Sequence, residues 1–208
     1  MLSYLDEFLL IAIAHFFAVA SPGPDFAIVL KQSIQQGRNN ALWTSAGVGL
    51  GILVHVTYCL LGVALVLANS PELFTILKYV AGAYLAYMGV QALRAKPASG
   101  EGNVETSEHA QTESAFKAFK RGFLVNALNP KATLFFMSLF TLVIAPTTPT
   151  SVQAMYGLYM ALATWAWFSF LSMVLSKQSV RAFFHRAGHW FDRGIGVVLI
   201  ALAIRVVV

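Results

Sequence analysis

The chain has 208 residues, 58% of them hydrophobic and only 11% charged, and its mean hydropathy is +0.68. Soluble domains average about 45–50% apolar and about 25% charged residues, so a soluble enzyme, a secreted disulfide scaffold and a disordered chain fall away. The net charge of +5 would suit nucleic acid, but the placement of the basic residues, given below, argues against that partner.

In chain order, apolar stretches at 5–30, 41–68, 72–93, 121–146, 152–176 and 190–208 each predict a helix able to cross about 30 Å of hydrocarbon. The ten-residue alternation of a membrane barrel is absent, and the predicted fold class is an all-α membrane protein of six spans. The first stretch contains the cleavage-like Ala18-Val19-Ala20, yet it is preceded by Asp6 and Glu7 and by no Lys or Arg. It therefore reads as a retained span and not as a signal peptide. Cys59 is the single cysteine, so no internal disulfide forms.

Breaks between the stretches are short and polar, with Asn69-Ser70-Pro71 and Pro146-Thr147-Thr148-Pro149 closing two hairpins. The exception is the Ser-, Glu- and Gly-rich connection at 95–118, read as flexible. It divides the chain into repeats at 1–94 and 119–208, three spans each. Lys31 and Arg38 follow the first span. Arg94, Lys96, Lys117, Lys120 and Arg121 flank the central connection, and Lys177, Arg181, Arg186 and Arg193 precede the sixth span. Only Lys78, Lys131 and Arg205 lie elsewhere. The positive-inside rule then places the odd-numbered connections in the cytoplasm and both termini outside.

Three spans per half require that two related halves insert upside down relative to each other, the 3+3 inverted repeat of many secondary transporters. Both halves open with an interrupted span: Ser21-Pro22-Gly23-Pro24-Asp25 in the first and Asn126-Ala127-Leu128-Asn129-Pro130-Lys131 in the fourth. A proline inside a helix costs about 3 kcal/mol, and unwound backbone at membrane depth persists only inside protein or beside a wet cavity. Asp25 and Lys131 add about 2.5–3.5 kcal/mol each on insertion scales. Two such breaks at matching positions predict a binding site in which Asp25, Lys131, Asn126 and Asn129 meet substrate or protons. The bland alternative is a buried Asp25–Lys131 pair joining two halves, a poor reason on stability grounds to keep the charges.

Other residues carry two readings. His55, midway along the second span, is either a proton-handling group or a histidine bonded to a neighbouring helix; His15 reads as packing. Gly47, Gly49 and Gly51 include a G-x-x-x-G pair that lets helices approach closely, with the partner in this chain or in a second copy, leaving a homodimer open. Tyr84 and Tyr87 read as core, and Trp165 and Trp167 as walls of a pathway. His185, His189 and Asp192 share a helix face suited to a metal, but the nearby arginines favour a basic interfacial helix. Phe116, Phe119 and Phe123 with Lys117, Lys120 and Arg121 read the same way.

Ser21-Pro22-Gly23-Pro24-Asp25, Asn129-Pro130-Lys131-Ala132 and Gly82-Ala83-Tyr84-Leu85-Ala86-Tyr87-Met88-Gly89 together resemble the LysE/RhtB family of bacterial amino-acid exporters, over essentially the whole chain. His15 ahead of the first motif looks most like the branch that exports threonine, homoserine and related neutral amino acids. The resemblance implies a multi-pass exporter of the bacterial cytoplasmic membrane, driven by the proton gradient and neither an enzyme nor dependent on a cofactor or metal. The family's motif falls here on Pro22, Gly23, Pro24, Asp25, Asn129, Pro130 and Lys131. Two rivals are weighed beside it: a divalent-cation permease using Asp25 and His55, disfavoured by Lys131, and an intramembrane hydrolase, for which one carboxylate is thin.

Overall fold

In the computed structural model, residues 3–95, 113–174, 189–190, 192–194 and 196–204 are described. The described residues form helices joined by short turns: α1 (Tyr4–Ala20), α2 (Pro24–Gln35), α3 (Gly37–Asn69), α4 (Pro71–Leu93), α5 (Ala115–Ala127), α6 (Pro130–Leu142) and α7 (Thr150–Val174). Helical backbone returns at 192–194 and 196–204. By length and composition α3, α4 and α7 can each cross a membrane alone. The pairs α1–α2 and α5–α6 pass the same test jointly, bent by 50° and 56° at their breaks. The sixth stretch is described only in part, and Arg205 and His185 lie outside the described residues.

Local sequence explains where each helix starts. Ser3 and Asp6 form a capping box at α1, Ser70 accepts from the Leu73 amide at α4, and Ser114 from the Lys117 amide at α5. Pro71 and Pro130 occupy the first helical turn, where no amide proton is required. Gly37, at the corner between α2 and α3, has φ +81°, a conformation that glycine adopts without strain.

The 33-residue α3 is the central post, packed against α2, α5, α6 and α7. Its glycines set how closely those neighbours approach. A Cβ on Gly47 would lie 2.0 Å from the Phe119 carbonyl oxygen, and one on Gly51 would lie 2.7 Å from Asn126 Oδ1. Across the same crossing, a Cβ on Gly122 would lie 2.1 Å from the Thr44 carbonyl oxygen. The G-x-x-x-G pair is thus taken up by α5 of the same chain. Outward-facing apolar side chains such as Leu61, Leu65, Ile76, Tyr79, Leu158 and Leu162 are exposed, a surface suited to lipid and not to water.

Two polar knots fix the ends. Glu7, 1% exposed, accepts from the Ala145 amide at 2.9 Å, the Thr148 hydroxyl at 2.9 Å and the Tyr156 hydroxyl at 3.3 Å. It ties α1 to the α6–α7 turn. Glu7→Ala strands the Ala145 amide and the Thr148 hydroxyl at about 1–3 kcal/mol each, whereas the Tyr156 hydroxyl keeps the Tyr4 carbonyl oxygen at 2.8 Å. We expect a lower melting temperature in detergent, followed by circular dichroism, with Glu7→Gln closer to wild type because its carbonyl still accepts.

At the other end Glu113 accepts from Gln32 Nε2 at 2.8 Å and Arg121 Nη2 at 2.9 Å, and its amide donates to Gln36 Oε1 at 2.8 Å. Residues 113–118 of the 95–118 connection are thus tied to α2 and α5, and α5 starts at Ala115 and packs on α3. Burial pushes the Glu113 carboxyl up, but the bonds from Gln32 and Arg121 and the charges of Arg121 and Lys117 together hold it below its ordinary 4.5. Its contribution to stability is therefore complete above that ordinary value and lost as pH falls through the depressed folded value. The stability gap between wild type and Glu113→Gln should be present at neutral pH and close only well below pH 4.5, measured by thermal melts across pH.

Candidate functional site

α1 ends at Ala20 and α2 begins at Pro24, leaving Ser21, Pro22 and Gly23 outside helix; α5 ends at Ala127 and α6 begins at Pro130, leaving Leu128 and Asn129. Each break frees carbonyls that need donors. His55 Nε2 lies 2.9 Å from the Asn126 carbonyl oxygen, which can only accept, so that nitrogen carries a proton; Nδ1 sits 2.7 Å from the Tyr58 hydroxyl. The ring is fully buried and stacked on Phe136, 5.5 Å between centroids. His55 thus supports the α5–α6 break from behind.

In front of the two breaks lies a pocket enclosing about 560 Å³ of space, counting the part open to solvent. Asp25, Lys131, Asn126 and Asn129 line it, together with Ser21, Gly23 and Pro24. Pro22 and Pro130 shape the breaks without lining the pocket. The rest of the wall is apolar, from Ile52, Met88, Phe135, Phe136 and Phe168, apart from the buried pair His15–Thr164, 3.0 Å between Nε2 and Oγ1. His15, read from sequence as packing, therefore faces the pocket. The α7 side chains that wall it are Thr164 and Phe168; Trp165 is 48% exposed, and neither it nor Trp167 lines the cavity. Tyr84 and Tyr87 are likewise outside it.

Asp25 and Lys131 share this wall but make no ion pair within 4.0 Å. Asp25 Oδ2 accepts from Asn126 Nδ2 at 3.0 Å and from Asn129 Nδ2 at 3.5 Å. Its other oxygen, Oδ1, is buried without a hydrogen-bond partner, an uncommon and costly state for a carboxylate. Lys131 Nζ donates to Ser21 Oγ at 3.1 Å, and Ser21 Oγ in turn donates to Asp192 Oδ1. Asn129 caps α6 by accepting from the Lys131 amide at 3.0 Å. A cation in the first turn of a helix opposes the helix dipole, so helix formation does not account for Lys131. The pocket is thus lined by a carboxylate with one unpartnered oxygen, Asp25, and by a cationic donor, Lys131, one beside each of the two breaks.

Sequence reasoning missed Asp192, assigned by its spacing to a face with His185 and His189. Only its hydrogen bond to Ser21 reveals it, and no local pattern signals that contact. Among the described residues, no group of three or more His, Cys, Asp or Glu is placed to hold a metal ion.

The chain belongs to the LysE type translocator family, whose model matches residues 16–208. It is 29% identical over 203 residues to a threonine efflux protein of Salmonella typhi, covering 97% of each chain. It is 28% identical over 203 residues, with the same coverage, to the threonine efflux protein of Escherichia coli strain K12. A homoserine/homoserine lactone efflux protein of Salmonella typhimurium is 33% identical over 133 residues, covering 64% of this chain and 62% of that one. No solved structure matches the chain significantly.

Proposed function

We propose that this protein is a proton-driven exporter of neutral amino acids, such as threonine or homoserine, in the bacterial cytoplasmic membrane. Its six spans form a 3+3 inverted repeat, residues 1–94 and 119–208 joined by a cytoplasmic connection at 95–118, with both termini outside. The bent pairs α1–α2 and α5–α6 are the first and fourth spans, and the pocket between their breaks is the transport site. The observation that carries this reading is one pocket lined by both Lys131 and Asp25, whose Oδ1 is buried without a hydrogen-bond partner.

In this mechanism Asp25 takes the substrate ammonium or a proton in turn. Lys131 takes the carboxylate, and the apolar wall receives the side chain. Competition between proton and ammonium for one carboxylate couples export to the gradient as one half rocks against the other. Asn126, Asn129 and His55 hold the α5–α6 break in shape.

To test it, the purified protein is placed in liposomes and radiolabelled threonine and homoserine flux is followed under an imposed pH gradient. Gradient-driven accumulation that collapses with a protonophore supports the reading. Flux indifferent to the gradient would remove the proton, and no flux of either amino acid would remove the substrate class.

A further inference from the structure

The two charges of the pocket are retained separately. Amides of Asn126 and Asn129 hold Asp25, whereas Lys131 is held by Ser21, whose hydroxyl proton goes to Asp192. The donor order is consistent: the ammonium donates, the hydroxyl accepts with a lone pair and passes its single proton to a carboxylate. Ser21 is the C-cap of α1, 6% exposed, and so lies at the break itself.

Close packing brings Asp192 there. A Cβ on Gly194 would lie 2.8 Å from the Phe17 ring, and one on Gly196 would lie 2.8 Å from the Gly89 carbonyl oxygen. Those glycines let the 192–204 stretch press against the end of α1 and against α4, which carries Asp192 to Ser21. Arg193, next in sequence, is turned elsewhere, over the Trp190 ring at 5.1 Å and onto the Ala95 carbonyl oxygen at 3.4 Å.

This separation matters for binding. Were Lys131 paired directly to Asp25, an incoming zwitterion would have to break that pair before its own charges were met, and each partner would be left in an apolar wall meanwhile. With Lys131 held by Ser21, it stays positioned while one Asp25 oxygen is left without a partner. Resting on the transport site proposed above, we propose that Asp192, acting through Ser21, is the positioning residue that makes Lys131 the carboxylate anchor, so that the pocket prefers a zwitterionic amino acid to the corresponding amine.

The test compares threonine with isopropanolamine, which is threonine without its carboxylate, as competitors of radiolabelled threonine binding to the purified protein. In the wild type threonine should compete better by about tenfold or more, the scale of one charge-assisted hydrogen bond. In Asp192→Asn and in Ser21→Ala that preference should fall towards unity, and Asp192→Glu should restore part of it. A purely structural role for Asp192 would lower the amount of folded protein and leave the preference of the remainder unchanged. A preference retained in both variants overturns the inference while leaving the transport reading intact. Absence of binding by the wild type of both threonine and homoserine overturns both.

Discussion

Asp25→Asn should reduce gradient-driven amino-acid flux in liposomes to the level seen with no gradient. Asparagine keeps the size of the side chain and an oxygen to accept from Asn126 Nδ2, now 3.0 Å from Asp25 Oδ2. What it removes is the charge that meets an ammonium and the site that carries a proton. Loss of a hydrogen bond to a charged group is worth about 1.5–3 kcal/mol, which is roughly 10- to 100-fold in affinity. The expected result is a KM raised by about that factor together with loss of dependence on the pH gradient. Asp25→Glu, which keeps the charge at a changed reach, should retain coupling at reduced rate. Undiminished gradient-driven flux in Asp25→Asn would remove Asp25 from the coupling mechanism.

Gly122→Ala should show a large loss of stability for a small chemical change. The new methyl would lie 2.1 Å from the Thr44 carbonyl oxygen and 2.9 Å from its carbonyl carbon. These are backbone atoms of the central helix and have no rotamer to give. α5 must move off α3, and Asn126, one turn further along α5 and pressed against Gly51, must move with it. Overpacking of this kind costs about 1–3 kcal/mol, and a chain of this size loses roughly 2–4 °C of melting temperature per kcal/mol. Gly62→Ala is the control, because nothing lies within 4 Å of the added carbon. Thermal melts should separate the two variants, and flux by surviving Gly122→Ala protein should fall because the α5–α6 break is displaced.

The features legible in the sequence were those whose physics is local. Pro24 and Pro130 within apolar stretches mark breaks whatever surrounds them, and Asp25 and Lys131 beside them are too costly in hydrocarbon to be incidental. The Asn69-Ser70-Pro71 hairpin falls where α3 gives way to α4. What stayed hidden depends on which helices meet. Glu7 looked like a flanking charge, yet Ala145, Thr148 and Tyr156, all more than 130 positions away, satisfy it. His15 faces the pocket because Thr164 lies opposite, and Trp165 turns outward because the next turn of α7 supplies Phe168 instead. The glycines of α3 announced close packing but not its partners, which are α5 of the same chain for Gly47 and Gly51 and α7 for Gly49. Asp192 shares a helical face with two histidines by spacing alone, while its bond to Ser21 arises from a crossing with α1.

One measurement bears on all of this at once: an experimental structure of the protein with threonine bound. The amino acid should lie between the 21–23 and 128–129 turns, its nitrogen within hydrogen-bond reach of Asp25 Oδ1 and its carboxylate on Lys131 Nζ. Threonine seated elsewhere, or found there with its two charged groups touching neither side chain, would contradict the account.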